Sequence, residues 1–364
     1  MYGRERTKPD YIIKGDSFIQ LSDGNILSYY FRGKNGIHIY DQENFQQILE
    51  ININEIILKH LNEKDKDKDY NFGYDRDEIV CSIVELEKGL ILTSYKKYLI
   101  EIQLKEKSFE SNIVYETMNQ ILNMNKLSDG KVIIITDAAI KILNKENGKY
   151  IEKDEVLIDE NWKLTPISQS HRFYGKFHQY YSSQELPNNK LLLNCFATEL
   201  SYHGGCGTHP PEEFTRSKII FIDLNNLKEI SITKEFQIAV ICLILKESIV
   251  IQSYKEVYIY DIQNFQMINK MKFEKGLGVF YKYDHNHIIS MPYYEKENNL
   301  ILYKYEKNQL IKEKEFKNDI KFNEVIGWNG YSINEYKDKN LLVLKDKRII
   351  IVCHKEMSVI KNPF

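Results

Sequence analysis

A chain of 364 residues that is 43% apolar and 28% charged has material for a sizeable core, which excludes wholesale disorder. Its 50 Lys and Arg stand against 52 Asp and Glu, a formal net charge of −2, so no global charge draws it to nucleic acid or to an anionic membrane. No apolar run approaches the ~18 residues of a membrane span, and the charged N-terminus is followed by no signal-like apolar segment. The five cysteines, Cys81, Cys195, Cys206, Cys242 and Cys353, are odd in number and widely spaced. They suit a reducing compartment rather than a disulfide framework, so a cytoplasmic location is expected.

In chain order, residues 1–17 read as a lead-in, with Tyr11-Ile-Ile-Lys14 a candidate strand for closing onto the last repeat. From residue 18 onward short runs of Ile, Val, Tyr and Phe recur, bounded by turn-forming pairs. The first copy has Phe-Ile-Gln-Leu, a turn at Asp23-Gly24, Asn-Ile-Leu-Ser-Tyr-Tyr, then Gly-Ile-His-Ile-Tyr-Asp. Residues 44–61 fit a strand better than a helix, on the spacing of Ile48, Ile51 and Ile53. Further copies centre on Lys88-Gly89, Asp129-Gly130, Asn188-Asn189, Lys246-Glu247, His285-Asn286 and Asp338-Lys339. The shortest intervals match the ~40–45 residues of a four-stranded propeller blade, and the longer ones are the same unit with insertions. In the last copy, Met357-Ser-Val-Ile360 reads as its own fourth strand, in competition with the N-terminal segment. The expectation is an all-β chain: one β-propeller domain over 18–364, of seven four-stranded antiparallel blades, with insertions at 54–77, 157–176 and 202–216.

The third strands carry a family resemblance. Ile37-His-Ile-Tyr-Asp41 and Val257-Tyr-Ile-Tyr-Asp261 resemble the apolar-x-apolar-Trp-Asp end of a WD40 repeat, with Tyr in the Trp slot, and Ile219-Ile-Phe-Ile-Asp223 has Ile there. The resemblance to WD40-like propellers covers residues 18 to about 361 and implies strands a to d running outward from the axis. The b–c and d–a connections then share one end, and the long insertions all fall in them.

Loops on a rigid scaffold concentrate binding residues, and Trp and Arg anchor interfaces. The candidate partner-binding residues are therefore Trp162, His171, Arg172, Phe173, Tyr174, Tyr202, Phe214, Arg216 and Trp328. His203, Cys206 and His209 have the donor types for Zn²⁺ but lack a fourth ligand in the motif, so they read as an incidental cluster in a Gly-Pro loop. Asp65, Asp67 and Asp69 alternate with Lys but lack the Gly and Glu of a calcium loop, and read as a solvated charge run. No nucleophile elbow or dinucleotide fingerprint occurs, so no cofactor and no catalytic residue are assigned. The expected function is a non-catalytic protein-interaction scaffold, a platform subunit in a larger assembly. The alternative is a metal-assisted, hydrolase- or lactonase-like propeller enzyme working at the axial channel, where His178, Asn194 and Glu335 are the inner-strand polar candidates.

Overall fold

A computed structural model describes residues 11–15, 17–29, 36–60, 82–164, 177–201, 212–236, 240–253, 255–273, 278–291, 299–317, 339–353, 356–361 and 363–364. The fold is a seven-bladed β-propeller of four-stranded antiparallel sheets. Blade 1 is β2 (Ser17–Gln20), β3 (Ile26–Tyr29), β4 (Gly36–Tyr40) and β5 (Gln47–Asn52), preceded by β1 (Tyr11–Ile12) and followed by α1 (Ile53–His60). Blade 2 is β6 (Ile83–Glu87), β7 (Leu90–Tyr95), β8 (Tyr98–Leu104) and β9 (Phe109–Glu116). Blade 3 is β10 (Ile121–Lys126), β11 (Val132–Thr136), β12 (Ala139–Glu146) and β13 (Lys149–Leu157). Blade 4 is β14 (Phe177–Leu186), β15 (Lys190–Ser201), β16 (Glu212–Asp223) and β17 (Lys228–Ile232). Blade 5 is β18 (Ile241–Leu245), β19 (Ser248–Gln252), β20 (Glu256–Asp261) and β21 (Met267–Lys272). Blade 6 is β22 (Val279–Lys282), β23 (His287–Met291), β24 (Leu300–Glu306) and β25 (Gln309–Phe316). Blade 7 holds β26 (Lys339–Val343), β27 (Ile349–Cys353) and β28 (Glu356–Ile360), with β1 as its fourth strand.

Two compact units divide the chain. One holds Glu55–Cys242 with Ile262–Phe265; the other holds Met1–Asn54, Leu243–Asp261 and Gln266–Phe364. In the first, the Val132-Ile-Ile-Ile-Thr136 run is apolar throughout because the strand is covered on both faces. Val132 and Ile134 pack with Leu92, Leu99 and Met124 towards blade 2, whereas Ile133 and Ile135 pack with Leu191, Leu193 and Tyr181 of blade 4. In the second unit β27 works the same way. Ile349 and Ile351 join Ile289 and Leu302 of blade 6, and Ile350 and Val352 join Ile26 and Tyr40 of blade 1. Burying each such side chain contributes about 1.5–3 kcal/mol.

The Asp at the end of the third strands of blades 1, 4 and 5 opens a shared turn. In Asp41-Gln-Glu-Asn-Phe45, the Asp41 carboxylate accepts the amides of Glu43 and Asn44, both at 2.9 Å, and the Phe45 amide donates to the Asp41 carbonyl at 3.0 Å. Asp223-Leu-Asn-Asn-Leu227 repeats it, with the Asn225 amide on the carboxylate at 2.9 Å and the Leu227 amide on the Asp223 carbonyl at 2.7 Å. The fifth residue takes a left-handed backbone in both, and in Asp261-Ile-Gln-Asn-Phe265 as well: φ is 55° at Phe45, 55° at Leu227 and 58° at Phe265. All three side chains are buried. Past the turn the fourth strand bulges, leaving Ile48, Ile230 and Ile268 unpaired and exposed.

The structure corrects the sequence reading in three places. Asp338-Lys339 is not the turn of the last repeat. Lys339–Val343 is that blade's first strand and its turn lies at Lys345–Lys347, so Met357–Ile360 falls in the third strand. The fourth place goes to β1, with Tyr11 paired to Met357 and Ile12 to Glu356. Second, residues 53–60 are helix rather than strand. Asn52 accepts the Asn54 amide at 3.0 Å as the helix starts, and Ile53, Ile56 and Ile57 are buried at helical spacing. Third, Glu212–Arg216 of the 202–216 insertion belong to β16.

Candidate functional site

Of the candidate residues, Phe214 and Arg216 lie on β16 of blade 4, and Trp162 lies in the connection that leads into that blade. In blade 3 the second strand stops at Thr136 and the third starts at Ala139. In blade 4 the equivalent pair continues without a register break to Ser201 opposite Glu212, and β14 runs alongside it as far as Phe177 opposite Glu199. Residues 196–201 thus prolong the sheet by roughly 20 Å. At the tip of this extension is the connection 202–211, which carries Tyr202, His203, Cys206 and His209; these lie outside the described residues. Phe214 stands in the ladder opposite Glu199.

The connection from β13 to β14 enters through a well-built root. The Asp159 carboxylate accepts the Asn161 amide at 2.8 Å and starts a 3₁₀ turn, Glu160–Trp162. Trp162, a candidate contact residue in the sequence, is instead buried, 3% exposed, among Ile133, Ile135, Leu193 and Cys195. Its indole N–H donates to the Glu229 carboxylate on β17 at 2.6 Å. The Lys218 ammonium donates to the carbonyls of Asn161 and Lys163, at 2.8 and 3.2 Å, and the Leu164 amide to the Gln179 side chain at 3.1 Å. Beyond this root, His171, Arg172, Phe173 and Tyr174 lie outside the described residues, as do Trp328 and Glu335. His178 lies in β14, where the description stops at the backbone.

Arg216 is also internal. At 7% exposure it pairs with Glu235 at 2.7 Å and so ties β16 to the connection leaving β17. The neighbouring Ser217 bridges to Phe236 through both backbone groups, and its hydroxyl accepts the Val240 amide at 2.9 Å. Asn194 adds a hydrogen bond from Nδ2 to the Val240 carbonyl at 3.2 Å. Trp162 and Arg216 are therefore buried, paired anchors where the connections leave the sheet. The sequence gives little warning of this: a Trp or Arg in an insertion looks the same whether it anchors the root or the tip.

The described thiols here are poor nucleophiles. Burial pushes Cys195 up to about 12, and Cys242 likewise up to about 12. No group of three or more His, Cys, Asp or Glu able to hold a metal occurs among the described residues, and no described helix is long and apolar enough to cross a membrane.

No family model matches the chain, and no curated protein matches it. Among solved structures, the chain is similar to the computationally designed Ika8 protein, at 11% identity and a TM-score of 0.49, over 97% of this chain and 98% of that one. It is also similar to a protein of unknown function from Bacteroides caccae, at 10% identity and a TM-score of 0.39, over 82% of this chain and 95% of that one.

Proposed function

We propose that the protein is a non-catalytic interaction platform, a WD40-like propeller subunit of a cytoplasmic assembly that holds another protein at the tall end of blade 4. The observation behind this reading is the sheet extension itself. Three strands of one blade run on past the height of their neighbour, and the adjoining connections are anchored by Trp162–Glu229 and Arg216–Glu235. Rigid roots lower the ordering cost of whatever those connections bind. The proposed contact residues are Tyr202 and Phe214 of the hairpin and His171 to Tyr174 of the adjoining connection.

The test is to replace residues 198–215 by a two-residue Asn-Gly turn between the paired Ala197 and Arg216. The shortened protein is expected to keep its melting temperature within a few degrees. It should also lose, by at least about tenfold, the proteins that the full chain captures from its native cell. Capture of the same proteins at the same level by the shortened chain would refute the reading.

A further inference from the structure

The outer edge of every propeller blade leaves backbone N–H and C=O groups without a neighbouring strand. Here those edges are interrupted. The fourth strands of blades 1 to 6 each break register against the third strand. The outer strand of blade 7, β1, is 2 residues long. Bulges and short strands are devices that keep an edge from pairing with another chain.

The extension of blade 4 lacks both. β16 pairs with β15 from Asp223 to Glu212 without a register break. On its other side, β17 pairs no further than Ile220 opposite Ile232. The last contacts there are the Thr233 amide on the Ile219 carbonyl at 2.9 Å and the bridge between Ser217 and Phe236. Beyond Ser217, no strand lies beside the outer side of β16 among the described residues. Alternation identifies the groups presented there. In an antiparallel strand one residue directs both backbone groups to one neighbour, and the next directs them to the other. Ser217 exchanges both with Phe236, at 3.0 and 2.8 Å. Thr215 and Glu213 therefore direct theirs outward as well, while Phe214 and Arg216 direct theirs to β15.

The same segment is rich in carboxylates. Glu212 and Glu213 lie on it, and Glu199 lies on β15 opposite Phe214. Its cations are engaged: Arg216 is buried against Glu235, and the Lys218 ammonium donates to the carbonyls of Asn161 and Lys163. A second copy of this edge would bring the same carboxylates and the same engaged cations. A basic strand brings the opposite charge, which cross-strand pairing rewards.

We propose that an extended, lysine- or arginine-bearing segment of a partner protein adds to blade 4 as a further strand outside β16. Its backbone bonds to Glu213 and Thr215, and its basic side chains meet the carboxylates. The proposal rests on the platform reading for its place and names the kind of partner that place takes.

The probe is the capped heptapeptide Lys-Val-Lys-Val-Lys-Val-Lys, with Glu-Val-Glu-Val-Glu-Val-Glu as its counterpart, each titrated into the full chain. The basic peptide should bind in the millimolar range of a short, flexible ligand. At saturation it should slow hydrogen exchange of the Glu213 and Thr215 amides at least about fivefold. The acidic peptide should do neither. Thr215→Pro removes an outward N–H, which an edge tolerates, and should weaken the basic peptide at least about fivefold. Glu212→Lys combined with Glu213→Lys should transfer the preference to the acidic peptide. If Thr215→Pro lowers the melting temperature, the charge reversal decides. The proposal fails if the basic peptide does not bind, if the acidic one binds as well, or if charge reversal leaves the preference unchanged. If the peptide fails while removal of residues 198–215 still costs the captured proteins, the platform stands and strand addition falls. If the peptide binds while that removal leaves capture unchanged, the platform falls and the edge remains a peptide site.

Discussion

His38 illustrates what a single buried polar side chain does in this fold. It sits on β4, 3% exposed, with Glu50 Oε1 at 3.8 Å from Nδ1 and Lys14 bound to the same carboxylate at 2.8 Å. Burial holds its pKa below the ordinary 6.5, and Lys14 lowers it further, against the pull of Glu50. The unfolded chain therefore takes up the proton first. Stability is full above about pH 6.5 and declines as pH falls through that value towards the lower folded pKa. The urea midpoint should drop between about pH 7.5 and about pH 5.5, and that of His38→Gln should drop less. Parallel pH profiles for the two proteins would refute the assignment. Nothing in Ile37-His-Ile-Tyr-Asp marks His38 as internal, because alternation alone does not reveal that both faces of the strand are covered. Asn194, expected on an inner strand, lies instead in β15, the second strand of blade 4; what Leu191-Leu-Leu-Asn-Cys does show is a polar residue interrupting an apolar run. Trp162 and Arg216 were legible as interface types but not as buried anchors, because their partners Glu229 and Glu235 are set by tertiary packing.

At the scale of elements, the recurring Asp-x-x-Asn turn combines a capping carboxylate with a left-handed apolar residue. At Phe45 the ring is 5% exposed and lies 4.9 Å from the ring of Tyr11, while the backbone carries φ of 55°. Phe45→Ala removes the ring and keeps the backbone strain, for a loss of about 3–5 kcal/mol. Phe45→Gly removes one atom more but relieves the strain, so it should be the milder change by up to ~1 kcal/mol. Urea unfolding of both variants checks this, and an alanine variant more stable than the glycine variant would show that the turn is unstrained. The blades were readable because paired turn residues such as Asp129-Gly130 and Asn188-Asn189 separate apolar runs at strand length. The helix α1 escaped because the strand reading rested on Ile48, Ile51 and Ile53, of which the first two do belong to β5, and its eight residues are too few for a clear 3.6 period. The last blade slipped by one strand because Asp338-Lys339 mimics the Asp-Gly turns elsewhere, ahead of an equally apolar Leu341-Leu-Val.

For the whole molecule, the feature with the widest reach is the sheet that joins β1 to β28. Ile13, just past β1, is 1% exposed and packs with Ile350, Val352 and Met357. Deleting residues 1–14 should cost at least the ~2–5 kcal/mol of one buried Ile and lower the denaturation midpoint accordingly; an unchanged midpoint would mean that β1 adds nothing to blade 7. That one sheet takes its outer strand from the first residues described and its other three from the last also has a kinetic consequence. The pairing of Tyr11 with Met357 spans nearly the full sequence, so it is the loop closure with the highest entropic cost. On a ribosome, every other sheet has all its strands emerged before this one does. The nascent chain carries an unpaired edge until β28 has emerged, which makes blade 7 the place where a chaperone or a second nascent copy would intervene.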